Sequence, residues 1–348
     1  MKEKFIYSFG NGKADGDASM KAVLGGKGAG LAEMTKIGLP VPAGFTISTS
    51  VCEDYYKHDR GYSNIVKEEV EKALQLLEET AGKKLGDSED PLLVSVRSGA
   101  AVSMPGMMET ILNLGLNDES VEGLAKKTNN KRFALDAYRR FIMMYGSTAK
   151  DIERRKFDEI FDRIKDKKTR KRLGFSDEVR VSDTDVDEDE LLELINEYKL
   201  LYKKEIREDF PQSPIEQLWG AIGAVFNSWM SKKAVKYRQA ENIVGLKGTA
   251  VNVMQMVFGS KGRTSGTGVC FTRDPNTGKN EFYGEYLFNA QGEDVVAGVR
   301  TPMKLDEFAK EDAKSYKELC RMRSVLESHY KDMQDMEFTV EEGKLYIL

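Results

Sequence analysis

Two cationic side chains stand in settings where they could bind phosphate. Lys27 lies in residues 24–30, where glycines flank its ammonium group closely. Arg97 follows a short apolar run, residues 92–96, at the start of a loop of small residues. Glycine lets backbone N–H groups face an anion, and a guanidinium fits phosphate well. The alternatives are a flexible turn with a solvated lysine and a strand end whose arginine forms a surface ion pair.

Two carboxylates are spaced to hold a divalent cation. In residues 333–340 the strand alternation predicts Asp335, Glu337 and Thr339 on one face, with apolar side chains on the other. Carboxylates at i and i+2 lie roughly 6.5–7 Å apart at Cα, which suits one or two magnesium ions bound against phosphates. An ordinary half-buried strand with an acidic outer face would show the same pattern.

Two glycine-bearing loops add further polar groups. Residues 262–269 carry Ser265 and Thr267, and such a hairpin could cover a triphosphate with amides and hydroxyls. Residues 289–298 carry Glu293 and Asp294, which could meet ribose hydroxyls or a metal. The alternatives are an exposed mobile hairpin and an acidic helix start. Together with the cations and carboxylates, these loops indicate a nucleotide–magnesium site without a P-loop, and the combination suits an ATP-grasp-like arrangement.

The elements that must position these groups predict an α+β fold of two lobes with a helical subdomain between them. Residues 1–116 alternate short strands, glycine loops and helices; within them we expect a loop at 24–30 followed by a short helix. Residues 117–210 consist mainly of amphipathic helices. Residues 211–348 open with a helix and return to strands, with a glycine hairpin loop expected at 259–268.

Composition excludes several classes of protein. The 348 residues are 40% hydrophobic and 32% charged, as in a soluble globular protein, and a net charge of −4 argues against nucleic acid as the main ligand. The cysteines show no disulfide or metal-ligand spacing. No signal peptide or membrane span is predicted, so we expect a cytoplasmic protein. His58 and His329 are predicted to be surface residues. Arg139 and Arg140 either pack against acidic neighbours or serve phosphate binding or docking.

The chain resembles the nucleotide-binding N-terminal part of the pyruvate phosphate dikinase family over nearly its whole length, most weakly at about 147–210. Its most specific block begins at Ser103 and is absent from the related phosphoenolpyruvate synthases. The segments that carry the resemblance are Leu24-Gly-Gly-Lys-Gly-Ala-Gly-Leu-Ala-Glu-Met34, Asp90-Pro-Leu-Leu-Val-Ser-Val-Arg-Ser-Gly99, Ser103-Met-Pro-Gly-Met-Met-Glu-Thr-Ile-Leu-Asn-Leu-Gly-Leu-Asn117, Gly248-Thr-Ala-Val-Asn-Val253, Thr264-Ser-Gly-Thr-Gly268, Asn289-Ala-Gln-Gly-Glu-Asp-Val-Val-Ala-Gly298 and Met333-Gln-Asp-Met-Glu-Phe338.

The resemblance implies an enzyme that interconverts ATP, phosphate and pyruvate with AMP, pyrophosphate and phosphoenolpyruvate. In this family a histidine on a separate domain attacks the β-phosphate of ATP, and inorganic phosphate takes the terminal group. The implied roles in this sequence are catalysis and phosphate binding by Lys27 and Arg97, nucleotide binding by Met108, Thr267, Gly268 and Glu293, magnesium binding by Asp335 and Glu337, and docking of the histidine domain by Glu285, with Arg140 as a further docking candidate.

The end of the chain departs from the family pattern. The family continues after the position of Leu348 with Gln-Thr-Arg and then the histidine domain, and neither His58 nor His329 lies in the family's Thr-Ser-His context. We therefore expect an excised domain that binds Mg·ATP but does not turn over alone. The alternatives are a related dikinase or other ATP-grasp phosphotransferase, and a non-catalytic nucleotide-binding module.

Overall fold

The computed structural model describes residues 4–179, 181–296 and 300–348, without the side chains of Glu293 and Val296. In these residues the strands are β1 (Ile6–Gly10), β2 (Lys13–Ala14), β3 (Gly44–Ile47), β4 (Lys84–Leu85), β5 (Pro91–Leu92), β6 (Val94–Gly99), β7 (Thr110–Leu114), β8 (Ala250–Gln255), β9 (Gly266–Phe271), β10 (Tyr283–Phe288), β11 (Met303–Lys304), β12 (Asp335–Glu341) and β13 (Lys344–Ile347). The helices are α1 (Lys21–Lys36), α2 (Thr49–Lys57), α3 (Asn64–Ala81), α4 (Ser120–Thr128), α5 (Lys131–Ala149), α6 (Arg154–Ile164), α7 (Arg170–Leu173), α8 (Glu188–Ile206), α9 (Pro214–Trp229), α10 (Lys232–Ala240), α11 (Gly292–Val296), α12 (Leu305–Glu311) and α13 (Ala313–Tyr330).

This mixture of helices and strands confirms the α+β class. The chain forms two compact units. The first comprises the segment up to Ser8, Ser19–Ala29 and Gly44–Met256, and the second comprises Phe9–Ala18, Gly30–Ala43 and Val257–Leu348. None of the helices in the described ranges is both long enough and apolar enough to cross a membrane.

The division into units differs from the predicted segments 1–116, 117–210 and 211–348. The reason is sheet pairing, because β8 pairs antiparallel with both β3 and β6 and so joins residues far apart in the chain. The helical block belongs to the first unit as well, since α5 packs against β7, α4, α8 and α9. Local composition marks changes in residue type along the chain, whereas long-range pairing decides which segments share a core.

The sheet of the first unit has one apolar face and one polar face, because side chains alternate along each strand. Its strand order is β1-β3-β8-β6-β7. The central strands bury β-branched and aromatic side chains on one face, as the period of two requires. These fully buried side chains are Phe45, Ile47, Val94, Val96, Val251 and Val253. The opposite face carries Thr46, Asn252 and Arg97, and it is the face that matters for the candidate site.

The second unit has its own sheet, in the order β11-β10-β9-β12-β13. Its core lies on one face of this sheet, with side chains of α12 and α13 among its members. The predicted alternation of β12 is confirmed, because Met336, Phe338 and Val340 are buried. Asp335 and Glu337 are exposed on the other face.

Candidate functional site

The glycine-rich segment around Lys27 is helical, which corrects the loop predicted at residues 24–30. Helix α1 runs through it and is broken only at Gly25, whose φ of 70° and ψ of 171° are not helical. Such a backbone conformation is essentially restricted to glycine. The helical course resumes immediately, so Lys27 lies in the first turn after the break. The concentration of glycine suggested a loop, but Gly25 and Gly28 serve close packing of the helix instead.

The break in α1 lies directly against the end of β6, the strand of Arg97. Gly26 N–H donates a hydrogen bond to Ala100 O at 2.9 Å. A Cβ atom at Gly25 would lie 1.7 Å from Gly99 O, so no other residue fits here without backbone movement. We call residues 24–28 and 97–100 together the cationic junction. The structure thus brings the segments of Lys27 and Arg97 together, and both side chains make polar or electrostatic contacts.

The polar face of the first sheet lies beneath this junction. Arg97 is the Cα partner of Asn252 in β8 and of Thr110 in β7, and Asn252 is the partner of Thr46 in β3. Side chains opposite one another on antiparallel strands share a face. A Cβ atom at Gly28 would lie 2.8 Å from Asn252 Oδ1, so α1 rests closely on this row.

The residue-by-residue interpretation of the sequence did not single out Asn252 or Thr46. Their hydrogen bond, from Thr46 Oγ1 to Asn252 Oδ1 at 2.8 Å, is fully buried. A signal was present, since a lone asparagine between Val251 and Val253 is a polar residue in an otherwise apolar strand. Buried polar residues generally have a structural or functional reason.

The carboxylate pair lies in the second unit, on β12. Partial desolvation at the sheet surface raises the pKa of Asp335 above its ordinary value, and repulsion from the Glu337 carboxylate raises it further, while the Met336 N–H lowers it in part. Glu285 is exposed on β10, and both Glu285 and Glu337 are Cα partners of Val269 on the strand between them. The three carboxylates therefore belong to one face of this sheet.

The donor set at β12 fits magnesium. Within the described part of the chain, no three or more His, Cys, Asp or Glu side chains come together in metal-binding geometry. Magnesium usually retains several waters and takes one or two carboxylates together with substrate phosphates. Asp335 and Glu337 repel each other, and a divalent cation would relieve that repulsion.

Thr267 and Gly268 lie inside the second sheet, because β9 begins at Gly266 and not after the predicted loop at 259–268. The Thr267 hydroxyl is buried and donates to Phe338 O at 3.1 Å. A Cβ atom at Gly268 would lie 2.5 Å from the Phe338 ring, so glycine is needed for packing. In this conformation both residues serve the sheet, and a contact with nucleotide stays a prediction for each.

The other predicted site residues are placed as follows. Met108 is half-buried on the connection between β6 and β7, where its Sδ accepts a long contact of 3.9 Å from Ser228 Oγ. The Glu293 side chain lies outside the described residues.

Arg140 donates to Asp136 Oδ2 at 2.9 Å. Burial raises the pKa of Asp136, but the charges of Arg139 and Arg140 lower it by more, so it stays well below its usual range. Packing against an acidic neighbour is therefore seen, and docking by Arg140 stays a prediction.

The chain is thus an α+β protein whose first unit holds the cationic junction and whose second unit, described by itself, holds the carboxylate pair. The sequence matches the model of the family described as "Pyruvate phosphate dikinase, AMP/ATP-binding domain" over residues 21–68 and 61–315. The chain belongs to this family, as the sequence resemblance predicted.

Curated relatives are similar over almost the entire chain. The pyruvate, phosphate dikinase of Clostridium symbiosum is 52% identical over 346 residues, which is 99% of this chain and 38% of the relative. The chloroplastic pyruvate, phosphate dikinase 1 of Zea mays is 51% identical over 99% of this chain and 35% of its own length. The chain thus spans little more than a third of these relatives. Because they include chloroplastic proteins, the cytoplasmic location stays a prediction.

Proposed function

We propose that this chain is the ATP-binding part of a pyruvate, phosphate dikinase, with an ATP-grasp-like fold. Its ligands are Mg·ATP, AMP, phosphate and pyrophosphate. The β-phosphorus, still carrying the terminal phosphoryl group, passes to a histidine on a separate domain as the bond between the α and β phosphates breaks and AMP leaves. The terminal phosphoryl then passes to inorganic phosphate, which gives pyrophosphate and leaves a phosphohistidine that serves the formation of phosphoenolpyruvate from pyruvate.

The observation that carries this proposal is the attachment of the Lys27 segment to the end of the Arg97 strand, through Gly26 N–H and Ala100 O at 2.9 Å. Phosphoryl transfer needs fixed positive charge where negative charge accumulates, because preorganised charges need no reorientation during the reaction. Lys27 supplies a compact ammonium and Arg97 a planar guanidinium with several donors. In this proposal the two side chains bind and neutralise the phosphates that are transferred.

Asp335 and Glu337 would hold Mg2+ in this proposal. When bound, the cation supplies charge neutralisation on the phosphate oxygens. Because β12 is paired on both sides, with β9 and β13, the backbone that carries the two carboxylates is held in place. Glu285 and Arg140 would contact the histidine domain, and Met108, Thr267, Gly268 and Glu293 the nucleotide.

The raised pKa of Asp335 predicts that metal binding weakens as the pH is lowered. A carboxyl group must lose its proton before it binds a cation, so binding to this pair should begin to fail at a higher pH than for an ordinary aspartate. We expect Mn2+, followed by electron paramagnetic resonance with Mg2+ as competitor, to bind more weakly at pH 5 than at pH 7.

Asp335→Asn should weaken binding of Mn2+ roughly 10–100-fold at neutral pH. The exposed neighbour Asp332, as Asp332→Asn, is the control, and equal affinities for both variants would contradict the assignment.

Calorimetry with Mg·ATP tests the proposed function. Lys27→Ala should weaken binding roughly 10–100-fold, the value of a hydrogen bond to a charged group. Lys21→Ala is the matched control, because Lys21 is an exposed lysine at the start of the same helix. If the unaltered chain does not bind Mg·ATP, or both variants bind as it does, the chain is a structural module and the proposal fails.

The same samples test the catalytic expectation. Because neither His58 nor His329 lies in the family's phosphohistidine context, we expect Mg·ATP binding without sustained phosphoenolpyruvate formation. Continuous ATP- and phosphate-dependent production from pyruvate by this chain alone would contradict that expectation.

A further inference from the structure

Asn252 occupies an unusual position for a side-chain amide. It is 1% exposed, and among the described residues its Nδ2 atom has no hydrogen-bond partner, although Thr46 satisfies its Oδ1. An unsatisfied buried donor costs about 1–3 kcal/mol. Its same-face neighbours in β8, Ala250 and Met254, are apolar and buried, so a side-chain amide is the exception on this part of the strand. Retention of an amide here therefore needs an explanation other than stability.

The two ends of this amide touch the two halves of the cationic junction. A Cβ atom at Gly28, one residue after Lys27, would lie 2.8 Å from Asn252 Oδ1. A Cβ atom at Gly99, two residues after Arg97, would lie 2.7 Å from Asn252 Nδ2. The side-chain amide of Asn252 thus packs against the backbone at Gly28 and at Gly99, and its size limits how closely these two segments approach the sheet. In this orientation of the amide, the Thr46 hydroxyl donates to Oδ1 at 2.8 Å and ties the side chain to β3.

Asn252 also stands beside Arg97 itself. The two residues are Cα partners on neighbouring antiparallel strands, and their side chains share one face. Cβ atoms of such pairs lie about 4.5–5.5 Å apart. The stem of Arg97 is therefore bounded by Asn252 on one side and by its other partner, Thr110, on the opposite side.

We propose that Asn252 is a positioning residue for phosphate binding, which sets the Lys27 segment and the Arg97 side chain in one fixed relation. This inference rests on the proposed function, because it concerns the phosphates that Lys27 and Arg97 would bind. Asn252 does not touch the ligand, since its Nδ2 atom is enclosed by protein. Its effect is geometric: charged groups must be held to within fractions of an ångström to bind a polyphosphate with full strength.

The test compares Mg·ATP with AMP as ligands. AMP lacks the phosphates assigned to Lys27 and Arg97, so its affinity should not depend on their relation. We expect Asn252→Ala to weaken Mg·ATP binding about tenfold or more, while AMP affinity changes less than about twofold. Thr46→Val keeps the shape of its side chain but removes the hydrogen bond to Asn252, and should show a smaller loss of the same selectivity. If Asn252→Ala fails to fold, Thr46→Val still tests the proposal.

Asn113→Ala is the control. Asn113 is another buried asparagine of the same sheet, on β7, and its amide donates to Ala137 O at 3.2 Å. This variant should lose stability without selective loss of Mg·ATP affinity. Equal losses for ATP and AMP in the Asn252 and Thr46 variants, or no loss for either ligand, would overturn the proposal. Failure of the unaltered chain to bind Mg·ATP would instead overturn the proposed function, so the two outcomes are distinguishable.

Discussion

Gly25→Ala is expected to lower the free energy of unfolding by about 3–5 kcal/mol, the sum of backbone strain and a lost or distorted buried contact. The backbone of Gly25 has a φ of 70° and a ψ of 171°, a combination that a side chain strongly disfavours. The new methyl group would also lie 1.7 Å from Gly99 O, so the helix and the end of β6 would have to separate. That movement would break the hydrogen bond between Gly26 and Ala100.

Gly30→Ala is the matched control for this prediction. It lies in the same helix, and a Cβ atom there would meet nothing within 4 Å. Since alanine favours a helix over glycine by up to about 1 kcal/mol, this variant should be as stable as the unaltered chain or slightly more so. Urea denaturation followed by circular dichroism measures both. A Gly25→Ala protein within about 1 kcal/mol of the control would show that the contact with Gly99 is not needed for the fold.

Arg97→Met is expected to abolish measurable Mg·ATP binding or weaken it by about 100-fold or more. The side chain of Arg97 is half-buried on β6, between Asn252 and Thr110, so its head group is held at a defined place. Methionine keeps an unbranched apolar stem and removes the charge. Arg97→Lys should recover only part of the affinity, because an ammonium cannot form the paired hydrogen bonds of a guanidinium.

Arg155→Met serves as the control for Arg97. It lies in the same unit on α6, its side chain is 78% exposed, and its ion pairs are long surface contacts of 3.6 Å or more. Calorimetry should therefore give Mg·ATP affinity close to that of the unaltered chain. If Arg97→Met binds as tightly as Arg155→Met, the phosphate role of Arg97 is wrong, whatever the stability of the two variants.

The strand β12 illustrates what could be predicted locally. Alternation in residues 333–340 places the carboxylates opposite Met336, Phe338 and Val340, and the structure agrees. Thr339 shares the face of the carboxylates but is 2% exposed, because its hydroxyl lies 3.3 Å from that of Thr267 on β9. The burial of Thr339 depends on the neighbouring strand β9, so it could not be predicted from the sequence of β12 alone.

Helix α1 shows the opposite case. Its glycines predict a loop if each residue is judged by its own preference, since glycine disfavours helices by about 1 kcal/mol. The helix forms nevertheless, because Gly25 and Gly28 allow it to approach Gly99, Thr46 and Asn252. Contacts between distant residues thus outweigh local propensity here.

The sequence by itself determined the α+β class, the family, and the residue types that could bind phosphate and magnesium. These follow from side-chain chemistry and from periodicity along the chain, which are local properties. Only the tertiary structure decided that β8 joins the first unit, that Lys27 lies just after a helix break held against the Arg97 strand, and that Asn252 lies beneath both. These depend on pairing and close packing between segments far apart in the chain, as the contact of Gly26 with Ala100 and the register of Arg97 with Asn252 show.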